Sequence, residues 1–582
     1  MSDLFKYENT EIAFSRPRSV IPIPNTITAT CNSGELVPFY IKEVIPGDTV
    51  QIDVQKSLFR MLSPVVPTMD SLEVSVAYFY MPMRLCTQNA RDIEKIFGVN
   101  VSGAFAPAQE STFYSTGNLF SAGGTAAKIE AGDLGQYLGW PIGYYPTSSC
   151  PANTMLIRMY NTIWNDYYRD ENLQNPNAYA GWNSVGSVST AANCWSQSAC
   201  QPLLHTCKTH DYFTTSLPSP QRGSAVTLGL TNSSGSSSVN LSNASSLPLI
   251  TSTGLYGVGN IKFGSSSYSN LTSGSNYIAG LYLTNSPSAS SLPVFNFNAG
   301  SSTVATNNCD INRTNLRVNA TGATVDLSDF TFDVNQVRLA FASQQLLELD
   351  SRGGSRFKEL LITHYGTAPN DDTLSRPKYL GGTKFDINIL QVLQTAVSDD
   401  SPIGQPGATS NTFNNTNNII SQSFKENGYI MGLFTIRPIQ SYSQGVPSYL
   451  TINERTDIYW PVFAHIGEQP VMKSEIYWNT TTNNNVFGYQ EAWIRYKTNP
   501  NRVAGFVAPA AGDSTLTNWS YTTNFSTAPT LNSSFITQDS SVVGDTLYDT
   551  ETSTQFLFQI YTNTVYTTQI PVHCVPAGFG RI

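Results

Sequence analysis

Two segments with a strict two-residue period stand at opposite ends of this 582-residue chain, and they restrict what it can fold into. In VQIDVQ, Val50, Ile52 and Val54 alternate with Gln51, Asp53 and Gln55. In QFLFQIY, from Gln555 to Tyr561, the alternating apolar positions are Phe556, Phe558 and Ile560. Each reads as a half-buried strand. Pro46, Gly47 and Asp48 supply the turn before the first. Two further strands follow from SLEVSVAYFYMP, where Leu72, Val74, Val76, Tyr78 and Tyr80 face one way, and from YIMGLFTIRP, Tyr429 to Pro438. Ala77 and Phe79 put apolar groups on the second face as well, so that strand should be covered on both sides towards its end. A sheet that unites both ends of a chain has high contact order, as in a Greek-key or jelly-roll barrel.

Helical spacing interrupts the strands twice. Ile157, Tyr160, Ile163, Trp164 and Tyr167 recur at three- and four-residue intervals, with Pro176 as the expected stop. In VNQVRLAFASQQLLELDSRGG, Leu339, Ala342, Leu346 and Leu349 share a face, and Gly353 and Gly354 end the helix. SRFKELLITHYG continues it to Gly366. Helices set in long connections imply a decorated barrel and no separate helical domain.

Charged residues make up 13% of the chain, about half the usual share. The space is filled by Ser, Thr, Asn, Gly and Pro, which suits a β-rich protein with long neutral loops. Between Arg222 and Asp310 the one charged side chain is Lys262. True disorder carries high net charge and few aromatics, whereas this stretch keeps LITSTGLYGVGNIKF, YIAGLYLTN and LPVFNFN. Residues 231–320 are therefore read as an ordered, loop-rich β insertion forming a surface protrusion, with 1–230 and 321–582 as the core. A flexible insertion without function is the plainer alternative. Net charge is −9, and Arg16 and Arg18 in FSRPRSV make too small a basic arm to neutralise nucleic acid alone. The start, MSDLFKYENTEIAF, holds no apolar signal region, and no apolar run is long enough for a membrane, so a cytoplasmic origin without disulfides is expected. Cys194, Cys200 and Cys207 with His205 and His210 match no common zinc spacing, and no metal or cofactor is expected.

The densest stretch of contact chemistry is Tyr459 to Val503, where aromatics stand beside prolines and FGYQEAWIRYKTNPNRV mixes rings with Arg495, Lys497 and Arg502. Aromatics with arginine favour protein contacts, because each covers a large area at small entropic cost. Trp460, Tyr489, Trp493, Arg495 and Arg502 are the candidate subunit-interface residues; the alternative is that these rings fill the chain's own core. The block resembles the C-terminal signature of the major capsid proteins of gokushoviruses, a branch of the microvirus family of small single-stranded DNA phages. GELVPFYIKEVIPGDTVQIDV, YNTIWNDYYRDENLQNP, KTHDYFTTSLPSPQRG, Val337 to Ala396 and QIPVHCVPAGFG are similar to that family's blocks in order and spacing. The resemblance implies a structural protein: an eight-stranded antiparallel jelly-roll β-barrel with long insertions containing a few helices. It further implies sixty copies in a T=1 icosahedral shell around circular single-stranded DNA. Threefold protrusions from the insertion would meet a host receptor, with carbohydrate among the candidates. Implied partners are an internal scaffolding protein, a DNA pilot protein and a small basic DNA-binding protein, with assembly in the host cytoplasm and residence in the virion.

Enzymatic motifs are missing: there is no HExxH or GxSxG, and YLGGTKF lacks the spacing of a phosphate-binding loop. His465 with Glu468 could form a base and its partner, but a histidine packed among aromatics is the simpler expectation. Glu348 and Asp350 are expected to pair with Arg352 or Arg356. The sequons at Asn232, Asn243 and Asn270 are compositional noise. Two other classes remain: a carbohydrate-binding or adhesin-like β protein, and a glycan hydrolase, which would need paired carboxylates in a cleft.

Overall fold

The computed structural model describes residues 17–62, 64–66, 68–85, 128–145, 155–177, 203–224, 334–371, 374–387, 411–479, 485–508, 516–547 and 554–573, with short strand segments between them. The chain divides into two compact units, residues 1–224 with 346–582, and 225–345.

The first unit is mainly β and antiparallel. Its long strands are β1 (Ser19–Cys31), β2 (Val37–Val44), β3 (Thr49–Met61), β4 (Leu72–Pro82), β5 (Lys378–Ile387), β6 (Asn411–Ser423), β7 (Gly428–Pro438) and β8 (Phe556–Thr568). They form two four-stranded sheets in the orders β1-β8-β3-β6 and β5-β4-β7-β2. The last strand lies between the first and the third, which is the long-range union that the two period-two segments imply. Pro22 and Pro24 cannot donate to a ladder, and β1 accordingly lies at a sheet edge.

The core lies where the two sheets meet. Phe434 of β7 makes edge contacts with Phe59 of β3, centroids 5.5 Å apart, and with Phe558 of β8 at 4.7 Å. Tyr40 of β2 shares a hydrogen bond with Thr564 of β8 (3.0 Å), so buried hydroxyls are satisfied across the sheets. Gly432 is obligatory here: a Cβ would stand 2.9 Å from Phe39, Tyr40 and Tyr78 atoms.

Expected strand faces hold for β8, where Phe556, Phe558 and Ile560 are buried, and for β4, whose Ala77 and Phe79 are buried as well. In β3 the alternation breaks. Ile52 pairs with Thr564 and Val54 with Asn563, so Asp53 is an extra residue in the ladder. This bulge reverses the faces beyond it and turns Gln55 inward, against its predicted polar face. Tyr78 donates to the Gln55 carbonyl at 2.7 Å, and Gln55 donates to Ser57 Oγ at 3.1 Å.

Helix α1 (Met155–Ile163) covers the second face of the β4 sheet and continues as one wide turn, Trp164 to Tyr168. Arg169 N–H donates to the Trp164 carbonyl at 2.9 Å and ends it, well before the predicted stop at Pro176. Tyr167 lies 4.7 Å from Phe79, which explains the double burial of β4. Helix α2 (Val334–Gly353) and helix α3 (Phe357–Tyr365) follow the expected bounds, and α3 ends at Gly366 with a left-handed φ of 66°. The row predicted along α2 faces outward: Leu339, Leu346 and Leu349 are all exposed. In the second unit, Leu247–Ile250, Asn260–Lys262, Tyr282–Thr284 and Arg317–Val318 pair as a small antiparallel sheet. Among the described residues no helix is long and apolar enough to cross a membrane.

Candidate subunit interface

A second, smaller apolar cluster organises the segment from Tyr442 to Val503. Phe213, Tyr442, Val471, Ile476, Phe487, Phe535 and Ile536 are buried together. The strands Glu468–Met472 and Val486–Glu491 pair above it as a two-stranded ladder. Gly467, with φ 88°, turns the chain into that ladder. The outer strand is fastened to the KTHDYFTT region by reciprocal bonds of 2.8 Å between Leu217 and Tyr489.

The five candidate residues divide between inside and outside. Trp493 is 7% exposed and holds a left-handed φ of 65°. Its indole N–H donates to the Phe463 carbonyl at 2.7 Å, and Tyr459 meets its ring edge-on at 5.4 Å. Tyr489 is half-buried in its ladder. Trp460 lies on the surface, 38% exposed, with Arg455 stacked 4.6 Å from its ring and its N–H on the Arg455 carbonyl at 2.9 Å. Arg495 donates to the Asp457 carbonyl and lies 5.1 Å from the Tyr496 ring. Arg502 is exposed, and its neighbour Val503 donates to the Tyr442 carbonyl at 3.0 Å.

Around these residues the chain leaves large apolar side chains bare. Val462 is 88% and Phe506 72% exposed, and Tyr449, Leu450, Ile458 and Tyr496 are exposed beside them. Sequence reasoning missed these residues because side chains in a loop carry no periodicity that distinguishes inside from outside. So many bare large apolar groups in one loop region are unusual for a monomer. Backbone N–H groups of Glu454 and Asn453 hold the Asp457 carboxyl below its usual range, and Arg495 hydrogen bonding lowers Tyr496. Burial pushes Glu475 up, although Met472 N–H (3.1 Å) and Tyr212 hydroxyl (2.9 Å) both donate to it.

Several expected pairings are different. His465 is exposed instead of packed among aromatics. Glu468 meets Arg352, not His465. Asp350 takes His364 at 2.8 Å, because the turn between α2 and α3 brings those positions face to face, and Arg356 pairs with Glu359 at 3.1 Å. Cys207 is a half-buried free thiol whose Sγ donates to the Tyr168 carbonyl, 3.3 Å away, and burial raises it to about 11. Cys194 and Cys200 lie outside the described residues.

A family model described as "Capsid protein (F protein)" matches residues 11–578. The capsid protein VP1 of Chlamydia phage 1 is 30% identical over 94% of this chain and 93% of its own length. The VP1 capsid proteins of Bdellovibrio phage phiMH2K and Spiroplasma virus 4 are each 29% identical, covering 94% and 97% of this chain and 93% and 96% of their own lengths.

Proposed function

The chain belongs to the capsid protein (F protein) family, and from that premise we propose a specific division of labour within a phage coat. It is a structural major capsid protein of a microvirus-like phage, and its place is the virion. The proposal is that its two sheets form an eight-stranded jelly roll, sixty of which close a T=1 shell around circular single-stranded DNA. Supporting the jelly roll is the interleaved strand order, in which β8 separates β1 from β3 and β7 separates β4 from β2. Residues 231–320 form protrusions at the threefold axes that attach to the host, after assembly in its cytoplasm with a scaffolding protein, a pilot protein and a small basic DNA-binding protein. A basic partner suits a coat of net charge −9, which cannot neutralise phosphate by itself.

The bare apolar surface from Tyr449 to Phe506 carries the assembly part of this reading. Closed symmetry lets every copy cover that surface with a neighbour and multiplies modest contacts around the shell. Electron microscopy of purified protein tests it: small isometric particles are expected. Deleting residues 231–320 should leave particles intact and abolish adsorption to host cells. Loss of particles in that variant would make the insertion an assembly element instead.

A further inference from the structure

Helix α2 carries its leucines on the side turned away from its own chain. Leu339 is 69% exposed, and Ala342, Leu346 and Leu349 are exposed with it. Opposite them stand Ala340, Gln344 and Leu347, half-buried, and Ser351, buried. A helix that served only its own fold would show the reverse. The outward residues advance by three, four and three positions, with Gly353 four further on. That is the a and d spacing of a seam between two helices, which a scattered set of bare side chains does not have. Phe341 is 68% exposed but stands off the stripe. The charges beside the seam are already answered. Asp350 meets His364 at 2.8 Å and Arg352 meets Glu468, so an apolar partner covering the stripe strands neither. Arg338 is exposed at the other end, where its long stem lets the guanidinium stay in water.

The occupant follows from symmetry and from side-chain size. One kind of contact surface closes a pair or a ring, or runs on as a filament, so a closed shell needs a second kind. In the shell reading, on which this step rests, the loops from Tyr449 to Phe506 supply one kind and the α2 seam is free to supply the other. The seam matches itself in one orientation. Two antiparallel copies of α2, related by a twofold axis near Gln344, set Leu339 against Leu349 and Ala342 against Leu346, a small side chain opposite a large one in the central layers. In a parallel pair Ala342 would meet Ala342 and leave a gap. The stripe runs for only about two heptads, fewer than hold two helices together unaided. Closure of the shell strengthens such a weak contact by repeating it. We propose that α2 packs antiparallel against α2 of a second copy of this chain, across a twofold axis of the particle.

The test mixes full-length chains carrying Ala342→Cys with chains carrying Leu346→Cys under assembly conditions. The mixture is oxidised, and mass spectrometry of the digest locates the disulfides. A disulfide from position 342 of one copy to position 346 of the other should dominate, because the antiparallel layers bring those Cα atoms within bonding range. Adding Leu339→Gln and Leu349→Gln to both chains should cut its yield severalfold. Phe341→Cys, as exposed as Leu339 but off the stripe, should give no bond between copies. An equal yield from Phe341→Cys would mean random collision, and an equal yield from Leu346→Cys alone would mean a parallel pair; either overturns the proposal. The isolated chain with Leu339→Gln and Leu349→Gln should keep its melting temperature, as exposed positions do. A fall of several degrees would mean that this chain covers the stripe itself, and would end the idea. Absence of the 342–346 disulfide overturns the helix pair, and particles formed without it would leave the shell reading standing. The disulfide without particles would do the opposite.

Discussion

The two-sheet core and the loop region from Tyr442 to Phe506 are built from the same aromatic residues and use them in opposite ways. In the core, Phe434 touches Phe39, Phe59 and Phe558, and none of the four exceeds 3% exposure. In the loops, Trp493 is enclosed while Trp460, Tyr496 and Phe506 are left outside. The core is completed by this chain alone, whereas the loop region leaves large apolar side chains exposed. Stability and assembly should therefore be separable by mutation.

Phe434→Ala should show the largest effect. Removing a ring from that intersheet contact should cost about 3–5 kcal/mol, read as a drop in the urea midpoint of the isolated chain. Trp493→Ala, alone or with Arg495→Ala, should behave nearly as a core variant, since the ring is buried and its N–H is bonded. Should the pair assemble normally once folded, Trp493 and Arg495 take no part in an interface, and the exposed residues of the block carry the test. Val462→Glu should invert the pattern. Its side chain is almost wholly exposed, so chain stability should move by no more than about 0.5 kcal/mol while particle yield collapses. Trp460→Ala should fall between, with a small loss of stability and a higher protein concentration needed for particles in light scattering. Equal effects of Trp460→Ala and Trp493→Ala on stability would remove the distinction between the two regions.

The same contrast explains what could be read in advance. Period-two alternation places Phe556, Phe558 and Ile560 correctly because each strand's faces are set by neighbours of the same two kinds, core and solvent. It fails at Gln55, since the bulge at Asp53 is defined by pairing with β8, far away in the chain. It also fails at Pro176: proline marks where a helix cannot continue, but α1 ends earlier, in the wide turn that seats Tyr167 on Phe79. The candidate interface was legible as a composition and not as a surface. Trp460 and Trp493 both follow aromatic-rich sequence, and only the fold of the ladder encloses one and leaves the other out.

The smallest effect is expected in pH dependence, and it probes the scaffold beneath the bare surface. Burial raises the Glu475 carboxyl above its usual range, so the folded chain holds that proton more tightly than the unfolded one. The stability this adds is complete below the ordinary carboxylate value and is lost as pH rises through the raised one. Glu475→Gln cannot titrate, and its side-chain carbonyl can still accept from Met472 N–H or Tyr212. Denaturation curves of Glu475→Gln should therefore lack the decline that the parent shows from the ordinary carboxylate value upward. Asp457 should act with the opposite sign, because its carboxyl is lowered: its contribution is present above the ordinary value and lost as pH falls. Asp457→Asn should therefore flatten only the acid limb, and identical pH profiles for the two variants would rule out these assignments. Since Glu475 lies under the loops and not between the sheets, Phe434→Ala should leave the shape of both profiles unchanged, shifting them only in height.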